Sequence, residues 1–91
     1  MAQILTLQIL DSFKACYKRL PREIEQRVAK TLHLLQENPH HPSLRTKKMK
    51  GPGDIWEARV SQSYRVTFNW VSDVIILRRV GTHDILKKET K

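Results

Sequence analysis

The chain contains one cysteine, three glycines and four prolines in 91 residues, and each scarcity removes a class of protein. A lone Cys16 forms no internal disulfide, and with four scattered histidines it makes no pair of Cys-x-x-Cys clusters for zinc. Disulfide scaffolds and zinc ribbons are excluded. No Gly-rich phosphate loop and no nucleophile elbow is present. Apolar runs are short, far from the ~18 residues that cross a bilayer, and the N-terminus has neither a basic lead nor a small-residue cleavage pattern. A soluble, cytoplasmic protein without a membrane partner is expected. No internal repeat or low-complexity segment occurs.

Acidic residues are also scarce, 9 Asp and Glu against 17 Lys and Arg, for a net charge of +8. Such an excess in a small protein points to nucleic acid, an anionic surface or an acidic partner, and is silent on fold. The length predicts one domain over residues 1–91. A chain of this size buries roughly 60–68% of the surface its unfolded form exposes, too little for a deep enclosed cavity. Any chemistry is therefore expected on a groove or an open sheet face.

Ile4 to Ile9 is apolar and branched and predicts a strand, with Asp11 or Ser12 as the following helix cap. Phe13, Cys16, Tyr17 and Leu20 then share one helical face. Pro21 ends that helix and opens the next, along which Ile24, Val28, Leu32 and Leu35 repeat until Asn38-Pro39. Arg45 to Lys50 reads as a basic loop or edge strand, and Gly51-Pro52-Gly53-Asp54 as a turn. Three strands follow, at Ile55–Val60, Tyr64–Trp70 and Val74–Val80. The predicted class is α+β: an N-terminal strand, a helical hairpin, then an antiparallel three- to four-stranded meander with the helices packed on one sheet face.

Alternation assigns the sheet's two sides. Trp56, Ala58, Val60, Tyr64, Val66, Phe68 and Trp70 face the helices; Glu57, Arg59, Arg65, Thr67 and Asn69 share the open face. The charge excess follows that division. Residues 11–37 balance six basic side chains with four acidic ones, whereas residues 38–70 set Arg45, Lys47, Lys48, Lys50, Arg59 and Arg65 against Asp54 and Glu57. Arg78 and Arg79 add to it. Converging cations suit a polyanion, since phosphate neutralisation supplies most non-specific affinity for nucleic acid. Lysines on an edge strand also simply deter aggregation. Arginines in register on adjacent strands repel unless a carboxylate or an anion lies between them, and Glu57 is a candidate for the first.

RNA cleavage needs a base for the 2′-hydroxyl, an acid for the leaving 5′-oxygen and a cation for the developing charge. Glu57 or a lysine, His83 and Arg65 fit those roles, with histidine the side chain suited to proton exchange near neutral pH. A histidine after a strand is otherwise an ordinary loop residue, and Asp84 otherwise caps a final helix. His40 and His41, adjacent in a proline-flanked loop, are poorly spaced to chelate metal. Cys16 reads as a small core residue.

The run HPSLRTKKMKG, then IWEARVSQSYRVTF, then VIILRRVGTHDIL resembles the RelE/ParE toxin superfamily of bacterial type II toxin–antitoxin systems, particularly its RelE-like ribonuclease branch. The resemblance covers nearly the whole chain. It implies a toxin that inhibits translation by cutting mRNA in the ribosomal A site, with no metal or cofactor, and that a tightly bound antitoxin silences. Arg65 matches the sheet arginine that contacts the scissile phosphate, Arg59 a basic position on the preceding strand, and His83 a terminal position that acts as general acid. Lys47, Lys48 and Lys50 match the family's basic approach to ribosomal RNA, and Arg45 and Arg79 join them as RNA-binding candidates. The chain departs from the pattern twice: no aromatic follows Trp70, where several members carry a tail tyrosine, and Lys47 stands where some branches place a glutamate base. Glu57 is this sequence's own substitute. The alternative readings are a ParE-like gyrase inhibitor and a catalytically inactive RNA- or antitoxin-binding module.

Overall fold

In the computed structural model, which describes residues 4–51 and 53–89, the chain opens with strand β1 (Thr6–Ile9), helix α1 (Asp11–Tyr17) and helix α2 (Arg22–Glu37). A single 3₁₀ turn, Pro42–Leu44, leads to a two-residue strand β2 (Lys47–Lys48). Strands β3 (Ile55–Arg59), β4 (Tyr64–Val71) and β5 (Val74–Thr82) follow, and helix α3 (Ile85–Glu89) comes last. The five strands form one sheet in the order β1-β5-β4-β3-β2. From β2 to β5 the pairing is antiparallel, as the meander required. β1 returns to the far edge and pairs parallel with β5, so the sheet is mixed.

The helical hairpin makes that return possible. α1 and α2 turn their apolar faces to one side of the sheet, where Phe13, Val28 and Leu35 pack with Ala58, Val66, Phe68, Ile75, Leu77 and Val80. Phe68, Val66 and Leu35 are fully buried. Full burial of such side chains contributes roughly 1.5–3 kcal/mol each relative to exposure, and this layer supplies most of the driving force. Leu44, 1% exposed, pins the 3₁₀ turn to the same core. The backbone N–H of Leu5 donates to Gln36 O at 2.9 Å, fastening the entry to β1 against the end of α2.

Several local expectations shift for identifiable reasons. α1 ends at Tyr17 rather than Leu20, because after Lys18 the hydrogen bonds tighten to a three-residue spacing, Arg19 N–H donating to Cys16 O and Leu20 N–H to Tyr17 O; Leu20, the residue before Pro21, is itself disfavoured in helical dihedrals. Neither Asp11 nor Ser12 caps α1. Leu10 holds the cap position, and the Ser12 hydroxyl donates to Arg78 O at 2.6 Å, satisfying a carbonyl on β5 beyond the reach of β1. Pro21 sits one place earlier than expected, as the N-cap of α2. In the Gly51–Asp54 turn, Gly51 and Gly53 adopt φ of +119° and +84°, a region L side chains rarely enter; Pro52 lies outside the described residues.

The largest departure is in β5. Thr67 pairs with Arg79 but Phe68 pairs with Leu77, so Arg78 is an extra residue in a bulge. Strict alternation through Val80 therefore fails, and Arg78 and Arg79 lie on the same side of the sheet. That side is also less open than expected. α3 crosses it, burying Ile85 and Glu89 and sealing Thr67, which is wholly inaccessible.

Candidate nucleic-acid interface

The register of β3 and β4 sets Arg59 opposite Arg65 and Glu57 opposite Thr67; β2 sets Lys47 opposite Glu57. Paired residues share a face, so Lys47, Glu57, Arg59 and Arg65 stand together on the side away from α1 and α2. Arg45 joins them from the loop. It follows the 3₁₀ turn in a left-handed conformation, φ 47°, directly after the buried anchor Leu44. The five residues line a groove of about 430 Å³ with four cations around one carboxylate.

Two arginines in cross-strand register require a counterweight, and the structure supplies two. Glu57 Oε1 lies 4.0 Å from Arg65 Nε, with side-chain exposures of 10% and 18%. The β3–β4 turn contributes more. Arg65 Nη1 donates to the carbonyls of Ser61 (2.8 Å), Gln62 (3.2 Å) and Tyr64 (3.0 Å), while Arg59 Nε donates to Ser61 O at 3.4 Å. Carbonyl dipoles thus absorb part of the repulsion and fix one edge of the Arg65 guanidinium. A cation held in advance needs little reorganisation when negative charge develops beside it, which is the condition for strong electrostatic stabilisation. Among the described residues, Glu57 is the one carboxylate lining the groove.

The other predicted residues lie elsewhere. Lys48 pairs with Trp56 and so faces the opposite side of the edge from Lys47; its ammonium meets Asp54 at 2.9 Å. Lys50 is exposed in the connection after β2 and does not line the groove. Arg79 Nη1 is bound to Glu89 Oε1 at 2.7 Å, so the free RNA contact expected of it is occupied by a carboxylate. His83 is exposed just past β5, two residues beyond Gly81, the partner of Arg65 in the ladder; it is outside the groove lining. Among the described residues no three His, Cys, Asp or Glu side chains gather as a metal would require. Trp56 and Trp70 meet edge to face at 5.3 Å on the helix side, and His40 lies against Trp70 at the same distance.

Sequence reasoning missed the cluster that Glu89 forms with Thr67, Arg78 and Arg79. One signal was available: the buried residues of β5 are Ile75, Leu77 and Val80, a spacing of two and then three that marks the bulge. Nothing in the polar tail singled out Glu89.

No protein-family model matches the chain, and no curated protein matches it by sequence. Solved structures do. A chain of the archaeal RelE–RelB complex from Pyrococcus horikoshii superposes with a TM-score of 0.71 over 87% of this chain and 94% of its own, at 23% identity. A chain of the Mycobacterium tuberculosis toxin–antitoxin complex RelBE2 gives 0.74 over 88% and 92%, at 17% identity. This is the RelE-like fold. The Escherichia coli DinJ–YafQ toxin–antitoxin complex adds a match of 0.76 over 90% of this chain and 96% of the other, at 14% identity. Among the described residues no helix is long and apolar enough to cross a membrane.

Proposed function

We propose that this chain is the toxin of a type II toxin–antitoxin pair, one RelE-like domain over residues 1–91, acting in the cytoplasm as a ribosome-dependent, metal-independent mRNA endonuclease. The observation that carries the reading is the convergence of Arg45, Lys47, Arg59 and Arg65 around Glu57 in a groove on the fold that solved toxin chains adopt. Its small size supports the need for the ribosome. A groove of about 430 Å³ does not enclose an RNA strand, so a larger body must hold the substrate against it.

In the proposed reaction Glu57 takes the proton of the 2′-hydroxyl and the 2′-oxygen attacks phosphorus. The bond from phosphorus to the 5′-oxygen breaks, and His83 gives that oxygen a proton. The products are a 2′,3′-cyclic phosphate and a free 5′-hydroxyl. Arg65, braced by the turn carbonyls, stabilises the charge that builds on the phosphoryl oxygens, with Arg59 beside it. Lys47 and Arg45 bind flanking phosphates. The protein partner is a cognate antitoxin whose toxin-binding segment is acidic or amphipathic; the RelE–RelB and DinJ–YafQ complexes among the structural neighbours support that assignment. Induced expression should arrest growth and Arg65→Ala should relieve the arrest. Arrest with intact message and inhibited DNA supercoiling would replace this reading with a gyrase poison.

A further inference from the structure

The bulge in β5 turns two consecutive arginines toward one face, and the carboxylate of Glu89 sits between them with its side chain 1% exposed. Oε1 accepts from Arg79 Nη1 at 2.7 Å and from Arg78 Nε at 3.2 Å. Oε2 accepts from Thr67 Oγ1 at 2.6 Å and from Arg78 Nε at 3.0 Å. Asn69 Oδ1 steadies the Arg78 guanidinium, accepting from Nη1 at 2.8 Å. Three donor side chains thus converge on two oxygens that share a single negative charge. A phosphodiester offers the same format, two terminal oxygens and one charge, whereas free phosphate carries a different charge and more oxygens.

The element that delivers Glu89 is poorly suited to be permanent. α3 has five residues, below the length at which a helix persists by itself. Ile85 and Glu89 are its buried residues, and Ile85 rests on Gly81, where an added Cβ would lie 2.9 Å from Ile85 Cγ2. Beneath it, Thr67 is two positions along β4 from Arg65 on the same face, ~6.6–6.8 Å away by strand geometry, a step that an extended single strand can bridge.

We propose that Arg78, Arg79 and Thr67 form a phosphodiester-binding site for the RNA strand, continuous with the Arg65 groove and closed in the free chain by Glu89 as an internal stand-in for phosphate. The inference rests on the reading that RNA crosses this face. Lifting α3 exchanges one singly charged, two-oxygen ligand for another, and the two arginines keep a counter-charge in both states.

The test uses the full chain and a short fluorescent oligoribonucleotide, with affinity read by anisotropy from 50 to 200 mM salt. Glu89→Gln removes the competing charge. One added phosphate contact steepens the log–log salt slope by ~0.7, which is an affinity loss about 2.6-fold greater across that range than in the wild type. Gly81→Ala crowds Ile85, unseats α3 without changing any charge, and shifts the slope in the same direction. Adding Arg79→Ala to either variant returns the slope to the wild-type value. Glu23→Gln, an equal change in charge at an exposed position on α2, leaves the slope unchanged. A folded Glu89→Gln protein with the slope of Glu23→Gln overturns the proposal; should Glu89→Gln not fold, Gly81→Ala decides in the same way. Competition by millimolar inorganic phosphate with no change in oligonucleotide slope also overturns it, assigning the cluster to free phosphate. Message cutting is measured separately. Cutting with unaltered slopes removes the latch alone, whereas steepened slopes without cutting keep the site and remove the nuclease.

Discussion

Arg65→Lys keeps the charge of the groove and removes the feature on which the mechanism depends. The guanidinium divides its work: Nη1 is spent on the carbonyls of Ser61, Gln62 and Tyr64, while Nε stands on the groove side, 4.0 Å from Glu57 Oε1. A lysine has one nitrogen for both tasks. If it binds the turn it leaves the phosphate, and if it reaches the phosphate it is no longer held in advance. Loss of one such preorganised donor costs about 10²–10³ in rate, roughly 2.7–4 kcal/mol of transition-state stabilisation. The stability cost is smaller. Each net hydrogen bond contributes ~0.5–1.5 kcal/mol and lysine recovers part of them, so the loss stays within about 2 kcal/mol. The assay is the initial rate of message cutting in a translation extract, paired with thermal unfolding followed by circular dichroism. A folded Arg65→Lys protein that cuts within threefold of the wild-type rate would refute the bracing argument. So would a loss of cutting that merely tracks the unfolded fraction.

Glu57→Gln removes the groove's carboxylate with little change of shape and is expected to slow cutting ~10²–10⁴-fold as the loss of a general base; His83→Gln should slow it comparably, and an unchanged rate in either variant strikes that residue from the mechanism. Lys47→Gln should weaken binding to an oligoribonucleotide and flatten its salt slope by ~0.7 for each phosphate no longer neutralised. Lys48→Gln, adjacent in sequence but paired with Asp54, should leave both unchanged; equal effects in anisotropy titrations would mean that the edge strand's facing is irrelevant. Phe68→Ala, at a fully buried position, is expected to destabilise the chain by about 3–5 kcal/mol, and a denaturant midpoint close to the wild type would contradict the core assignment.

The legible part of this protein was what periodicity controls. Spacing at three and four placed Val28 and Leu35 in the core, and alternation along Tyr64–Trp70 separated buried Val66 and Phe68 from Arg65 at the groove. Thr67, which alternation assigned to the open face, is buried, because alternation says nothing of what later crosses that face. Long-range satisfaction of polar groups was illegible for the same reason. Ser12 has the composition of a helix cap, yet a β5 carbonyl lay within reach and took its hydroxyl. Arg79 reads from the sequence as a free cation until a bulge and a tail glutamate bring it to a carboxylate. Lys48 looked equivalent to Lys47 because adjacent charges share a composition, although in a strand they never share a side.

If the Arg65 groove cuts RNA by 2′-oxygen attack while the ribosome presents the message, the chemistry of the new ends must show it. Purified chain is added to translating ribosomes, and the message ends that result are mapped and chemically typed. Cuts within the translated region that leave 5′-hydroxyl and 2′,3′-cyclic phosphate ends, and that vanish with Arg65→Ala, are the predicted result. Intact message, cuts bearing 5′-phosphates, or cutting undiminished by Arg65→Ala would contradict it.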